Sequence, residues 1–375
     1  MARVKAAACG GYERETVRES LSGIMDSMGG MHRFVSPGDR VLLKPNLLAA
    51  AVPEKCVTTH PEIVRAVAVM VLEAGGMPFI ADSPGLDGFP GVAGKTGMES
   101  VARELAIPCR ELGDPVPLSM ADGSVFQRVE VSRQAVEADK IINLPKLKTH
   151  AQMMLTLGVK NLFGTVVRQN KAQWHYNVGL DREIFADLHI DISRSLAPAI
   201  TILDGVEGME GRGPGNGRPR HFGLVAASSD PLALDIFICS LLGAEPEAFP
   251  LYRAAKKRGL LPTVEGGFPD FHSTPVFRDV DIPRLDSLHL LPGFLDGFGK
   301  RHLASRPVQN SMACIGCGKC AALCPAGAMK QVRDGHITID YGKCIRCYCC
   351  QEICPADAIG FSRGLVLSLL ELIRR

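Results

Sequence analysis

Cys314-Ile-Gly-Cys317-Gly-Lys-Cys320-Ala-Ala-Leu-Cys324-Pro325 recurs along the chain as Cys344-Ile-Arg-Cys347-Tyr-Cys-Cys350-Gln-Glu-Ile-Cys354-Pro355. Both stretches read C-x2-C-x2-C-x3-C-P, so the C-terminal region is an internal repeat. Two residues between cysteines let a tight loop aim three thiolates at one centre. The fourth cysteine opens a turn directed elsewhere. Pro325 and Pro355 remove a backbone donor and stop the chain from closing back. Gly316 and Gly318 let backbone N–H groups approach the sulfurs. Nine of the 13 cysteines fall between Cys314 and Cys354, and Cys9, Cys56, Cys109 and Cys239 are scattered. A disulfide scaffold spreads its cysteines through a small secreted domain, whereas clustering in one corner points to metal in a reducing compartment.

The doubled run resembles the bacterial-type two-cluster ferredoxins over about the last sixth of the chain. The resemblance implies two [4Fe–4S] clusters with crossed ligation. Cys314, Cys317, Cys320 and Cys354 would hold one cluster, and Cys344, Cys347, Cys350 and Cys324 the other. Structural zinc is the competing reading, but tetrahedral zinc sites do not need two complete four-cysteine runs each closed by proline. Cys349, inside the second run, reads as a spectator that is able to replace Cys350 as a ligand. Two neighbouring clusters form a short wire for single electrons, and a carrier alone needs no large attached domain.

The chain has 375 residues, 46% hydrophobic and 22% charged, as expected of a globular protein with room for a large buried core. A net charge of +2, a single Trp and 6% aromatics exclude a nucleic-acid surface. The start, MARVKAAACGGYERE, is a poor signal peptide, and no apolar window is long enough for a transmembrane segment. The expected compartment is cytoplasmic. The end, GLVLSLLELIRR, reads as a short helical tail over 364–375.

The first part of the chain alternates strand and helix signals. Apolar runs at 4–9, 40–43, 79–81, 140–143, 199–203 and 222–227 predict strands. Helical patterns fall at 16–28, 61–74, 181–196 and 231–242. Pro61 opens one helix and Gly75-Gly76 stop it, while Asp230 before Pro231 reads as an N-cap. The expected fold is α/β, a mostly parallel sheet with helices on both faces, plus a small α+β ferredoxin-like domain. The expected divisions are an α/β domain over 1–261, an irregular connector over 262–307 and the two-cluster domain over 308–363.

Polar groups collect after the predicted strands, where open α/β sheets bind ligands. They include Lys44-Pro45-Asn46, His60-Pro61, Asp82-Ser83-Pro84-Gly85, Leu144-Pro-Lys146-Leu-Lys148-Thr-His150, Gly158-Val-Lys160-Asn-Leu-Phe-Gly164 and Asp204-Gly-Val-Glu207-Gly208. The glycine-rich 211–217 follows and reads as a phosphate cradle or a lid. This set, in this order, over about 1–260 resembles the domain of unknown function 362 family, whose members often carry a C-terminal two-cluster ferredoxin module. His150, ten residues before Lys160, is also similar to the segment of nickel-pincer lactate racemases in which a lysine carries the cofactor and histidines move protons. The resemblance implies a shared fold and site location.

Lysines around one strand end with a histidine read as an anion site, a Lys ammonium being a compact charge suited to phosphate or carboxylate. Lys146, Lys148 and Lys160 are expected to anchor an anionic small molecule or an additional organic redox cofactor, with Lys44 and Asn46 beside them. Asp204 and Glu207 are expected to position substrate or a cation, and His150 and Lys160 to do the chemistry. Solvated lysines and turn-forming aspartates are the bland alternatives. The functional expectation is an iron–sulfur oxidoreductase that exchanges electrons with a donor or acceptor protein. The alternatives are a non-catalytic carrier or assembly factor, and a redox-neutral, racemase-like enzyme.

Overall fold

The computed structural model describes residues 1–179, 181–268, 276–283, 285, 305–332 and 335–362. The chain divides into two units, Met1–Lys171 with Glu183–Pro283, and Ala172–Arg182 with Arg284–Arg375. The tail expected over 364–375 and much of the connector expected over 262–307 lie outside the described residues.

In the first unit the strands are β1 (Val4–Ala8), β2 (Arg40–Pro45), β3 (Met77–Asp82), β4 (Cys109–Glu111), β5 (Pro115–Pro117), β6 (Glu130–Ser132), β7 (Lys140–Leu144), β8 (Lys146–His150), β9 (Met154–Thr156), β10 (Ile200–Glu210) and β11 (Arg218–Ser228). Nine of them form one sheet in the order β1-β11-β10-β7-β2-β3-β4, with β8 joined to β10 and β9. Pairing is parallel from β10 through β4 and antiparallel at the β1–β11–β10 edge. β5 and β6 make a separate antiparallel pair.

The parallel strands are near-continuous apolar runs because both of their faces are covered. Val41, Leu43, Ile80, Ile142 and Ile202 share one core with Val17, Leu21 and Ile24 of helix Arg14–Ser27 and with Ile63, Val64, Val67 and Val71 of helix Pro61–Glu73. Alternation puts Leu42 and Leu203 outside that cluster, equally buried, as are Leu234 and Ile238 of helix Pro231–Leu241. Each such aliphatic side chain contributes about 1.5–3 kcal/mol by leaving water. The mostly parallel, helix-covered α/β sheet expected from the sequence is therefore present.

Two segments differ from their expected form. The stretch 144–150 is not a polar tail after a strand. Its residues Lys146–His150 are themselves the fully buried β8, which runs parallel to β10 through the registers Asp204↔Lys146 and Met209↔Lys148. The strand expected to end near 203 continues as β10 to Glu210, and the glycine-rich 211–217 is the link between β10 and β11. That link packs on β8: Thr149 Oγ1 donates to Gly211 O at 3.0 Å, and a Cβ at Gly213 would sit 2.1 Å from Thr149 O.

The second unit repeats one small motif. Antiparallel β12 (Arg306–Gln309) and β15 (Ile359–Ser362) pair, as do β13 (Met329–Gln331) and β14 (Ile337–Ile339). Each cysteine loop leads into a short helix, Lys319–Leu323 or Cys349–Glu352.

Asp230 is the N-cap of helix Pro231–Leu241, its Oδ1 accepting from Leu232 N at 2.8 Å and Ala233 N at 3.0 Å. Asp230→Ala should lower stability by about 1 kcal/mol in urea unfolding followed by circular dichroism, and Asp230→Ser should retain most of it. Equal stability of Asp230→Ala and the wild type would contradict this.

Candidate functional site

Parallel pairing brings the carboxyl ends of β2 and β7 beside the first residues of β10, and the registers Lys44↔Asn143 and Thr201↔Asn143 bring polar residues of three strands into one row. Lys44, Lys146 and Lys148 are at most 1% exposed there. A buried ammonium must be paired or neutral, and Lys44 and Lys146 have carboxylate partners. Lys44 Nζ lies 2.9 Å from Asp82 Oδ1, and Lys146 Nζ lies 2.8 Å from Asp204 Oδ2. Asp82 also accepts from Leu47 N and Ser83 N, both at 2.7 Å. Lys148 Nζ donates to Asn46 Oδ1 at 3.0 Å and to Val57 O at 2.6 Å.

Asp204 organises a further group. Its Oδ1 accepts from Tyr12 OH and its Oδ2 from His60 N, each at 2.8 Å. Lys146 Nζ also donates to Tyr12 OH at 2.8 Å. The Tyr12 ring stacks on His60 with centroids 3.5 Å apart. Burial, then the Asp204 charge, raises the Tyr12 pKa, so the phenol keeps its proton. His60 is pushed down to about 4 by burial, with Lys146 adding to the effect and Asp204 opposing it. At neutral pH the ring is neutral. Its Nδ1 accepts from Glu62 N at 3.2 Å, which puts the proton on Nε2.

Lys160 sits on the helical turn Gly158–Asn161, and three buried side chains fix that turn. Asp235 accepts from Gly158 N at 2.6 Å and Val159 N at 3.0 Å. Asn143 Nδ2 donates to Gly158 O at 2.8 Å. Asn161 Nδ2 donates to Lys44 O at 3.0 Å and Asn143 Oδ1 at 2.8 Å, and its Oδ1 accepts from Asn46 Nδ2 at 3.1 Å. Gly164 then passes over the Lys44–Asp82 pair. A Cβ there would lie 2.6 Å from Lys44 Nζ and 2.7 Å from Asp82 Oδ1, so only glycine fits.

The structure thus links Lys148, Asn46 and Lys44 through Asn161, pairs Lys146 with Asp204, and anchors the turn that carries Lys160 on the same Asn161 and Asn143. His150 stands at the end of β8, fully buried, where its Nδ1 accepts from Gln152 N and Met153 N at 3.0 and 3.2 Å and holds the turn into β9. Glu207 is engaged separately, 2.7 Å from His221 Nδ1. The two carboxylates therefore have different partners, although Tyr12 OH, which donates to Asp204, also accepts from Glu207 N at 3.1 Å.

Tyr12, Asn143, Asn161, Lys171 and Asp235 belong to this region and had no assigned role in the sequence reading. Lys171 Nζ donates to Ser83 O at 2.6 Å. Burial pushes its pKa down to about 7; Lys44 and Lys160 add to the fall, and Asp82 and Glu111 oppose it. Asn161 lay inside a quoted motif and Asp235 inside the helical pattern at 231–242, whereas Tyr12 and Lys171 gave no local signal because long-range packing creates their environment.

In the second unit cysteines of the two runs come close to one another. Cys320 lies near enough to Cys354 and Cys317 to feel their charges, and Cys344 to feel those of Cys347 and Cys324. Cys354 thus stands near Cys320, and Cys324 near Cys344 and Cys350. Ala328 N donates to Cys324 Sγ and Ala358 N to Cys354 Sγ, both at 3.2 Å. Such N–H···S bonds support thiolate ligands and tune a cluster. These residues fit two [4Fe–4S] clusters, which supply one-electron transfer when bound.

Comparison with known proteins agrees with this division. Residues 41–240 match the model described as a domain of unknown function (DUF362), and residues 306–355 match that of a 4Fe-4S dicluster domain. A thylakoid-associated protein of Synechocystis sp. is 44% identical over 269 residues, 72% of this chain and 83% of that protein. Among solved structures, the lactate racemase apoprotein from Thermoanaerobacterium thermosaccharolyticum has a TM-score of 0.36 at 11% identity, covering 57% of this chain and 53% of that one. A structural-genomics protein from Thermotoga maritima has a TM-score of 0.33 at 13% identity, covering 52% and 51%. This chain spans about half the length of each of these two.

The His60 environment makes a pH prediction. Its folded pKa, about 4, lies below the ordinary histidine value of 6.5, so the unfolded chain binds the proton first as pH falls. Stability should therefore drop between about pH 6.5 and 4, on the order of 2 kcal/mol from this residue. His60→Asn, which keeps an N-cap acceptor, should flatten that part of the pH profile in urea unfolding. An unchanged slope would contradict the assignment.

Proposed function

The chain belongs to the domain of unknown function 362 family and carries a C-terminal 4Fe-4S dicluster module, and from that premise we propose an iron–sulfur oxidoreductase. In this reading two [4Fe–4S] clusters exchange electrons with an anionic ligand, or an organic redox cofactor, held at the carboxyl ends of the parallel strands. The clusters connect that site to an electron donor or acceptor protein.

What carries the reading is the charged network at the strand ends. Replacing buried ion pairs by apolar residues is often neutral or stabilising, so Lys44–Asp82 and Lys146–Asp204 are poorly explained by stability alone. Clusters of buried titratable groups at strand ends mark functional sites. Lys160 is half-buried, unlike Lys44, Lys146 and Lys148, and its turn is anchored by Asp235, Asn143 and Asn161. We assign Lys160 to the anion, with Lys148 and Asn46 beside it. The two Lys–Asp pairs and Glu207 shape the site. His150 and Lys160 are the proposed proton-handling groups; with His150 Nδ1 accepting, a neutral ring carries its proton on Nε2.

The reading takes the chain as cytoplasmic. No helix among the described residues is long and apolar enough to cross a membrane. The Synechocystis relative is described as thylakoid-associated, so a membrane-surface partner is compatible with this function.

The test is mass spectrometry of small molecules released from protein purified without oxygen. A flavin or other anionic redox-active molecule is expected. Its affinity should fall about 10- to 100-fold in Lys160→Ala, as for a lost charged hydrogen bond, with iron content unchanged. An empty site in both proteins would overturn the oxidoreductase reading in favour of a carrier. A pyridinium-type nickel cofactor would overturn it in favour of redox-neutral chemistry.

A further inference from the structure

The two cysteine loops share one backbone. Gly316 and Gly318 have φ of 68° and 70°, and their counterparts Arg346 and Tyr348 have 56° and 63°. The repeat therefore presents the same loop twice, yet the surroundings differ. In the first loop Ile315 is 67% exposed, Met312 is 95% exposed and Cys317 is exposed. In the second, Arg346 is 8%, Cys347 7% and Tyr348 5% exposed. Tyr348 is held there by its hydroxyl donating to Ser305 O at 3.0 Å and by its edge-on contact with Phe361 at 4.5 Å.

Val332, 41% exposed, follows Gln331, whose Nε2 donates to Gly316 O of the first loop at 2.5 Å. Charge divides the same way. Residues 310–332 contain Lys319 and Lys330 and no Asp or Glu, Arg333 and Asp334 follow with cancelling charges, and 335–362 contain Asp340, Glu352 and Asp357 against Lys343 and Arg346. Exposed apolar side chains with a rim of one charge mark an interaction site. Electron-transfer encounters use small, transient interfaces of this kind, steered by complementary charge.

We propose that the first loop, through Met312, Ile315 and Val332 with Lys319 and Lys330, is the docking surface for a small acidic one-electron carrier protein. The inference rests on the electron-transfer reading and names the partner class and the port. One electron passes between the carrier and this chain, one partner being oxidised as the other is reduced, and no bond is made or broken. The second loop, buried and mixed in charge, is not the port.

The test uses the full chain with its clusters and an acidic plant-type [2Fe–2S] ferredoxin as probe. Binding is followed by calorimetry at low and high salt, and exchange by stopped flow. Ile315→Glu and Lys330→Glu should each weaken binding about tenfold or more, and high salt should weaken wild-type binding, as expected of charge steering. Iron content and reduction by dithionite should not change. Lys343→Glu, on the exposed approach to the second loop, should bind within about twofold of wild type. Unchanged binding in both first-loop variants, or an equal loss in Lys343→Glu, would overturn the port. Failure of the wild type to accept electrons from dithionite would overturn the underlying reading instead.

Discussion

The ammonium of Lys146 meets the carboxylate of Asp204 at 2.8 Å where both side chains are at most 1% exposed, and much of the first unit is arranged around that pair. Asp204 is the residue of β10 in register with Lys146 of β8, so the ion pair and the strand pairing fix each other. Its remaining oxygen capacity ties down Tyr12 and the start of helix Pro61–Glu73 through His60 N. Removing either partner would leave an uncompensated buried charge, which costs about 3–5 kcal/mol. The Lys44–Asp82 pair does the same for β2 and β3, and Gly164 must come close enough to cover it.

The cysteine unit solves a different problem. It is small, with short strands and helices, and a four-cysteine run by itself gives only local loops. In the proposed reading, crossing the fourth cysteine of each run to the other set would link the two halves through their ligands. Metal binding then contributes to folding as well as to chemistry. The repeat also accommodates left-handed backbone in two ways. The first loop uses Gly316 and Gly318, while the second places Arg346 and Tyr348 there and fixes Tyr348 by packing. That substitution separates a covered loop from an exposed one.

Most strands and helices were legible because each is announced by local pattern. RVLL at β2, KIIN at β7 and the proline-opened helices at Pro61 and Pro231 needed no long-range information. Strand β8 was not legible as a strand. KLKTH looks solvated unless Asp204 and Asn46, 58 and 102 residues away, are known to receive its lysines. The same reason hid Tyr12 and Lys171, whose environments are made entirely by distant packing. His150 was visible as a residue, but its hold on the β8–β9 turn was not. The 4Fe-4S dicluster domain was legible because the cysteine spacing itself announces it.

The most direct test of the account is electron paramagnetic resonance of the protein purified without oxygen and reduced with dithionite, alongside Cys324→Ser. The account predicts two interacting [4Fe–4S]¹⁺ signals integrating to about two spins. In Cys324→Ser the signal of the cluster held by Cys344, Cys347 and Cys350 should change, and that held by Cys314, Cys317 and Cys320 should persist. A protein with zinc and no reducible signal, or a variant that loses only the cluster of its own run, would contradict it.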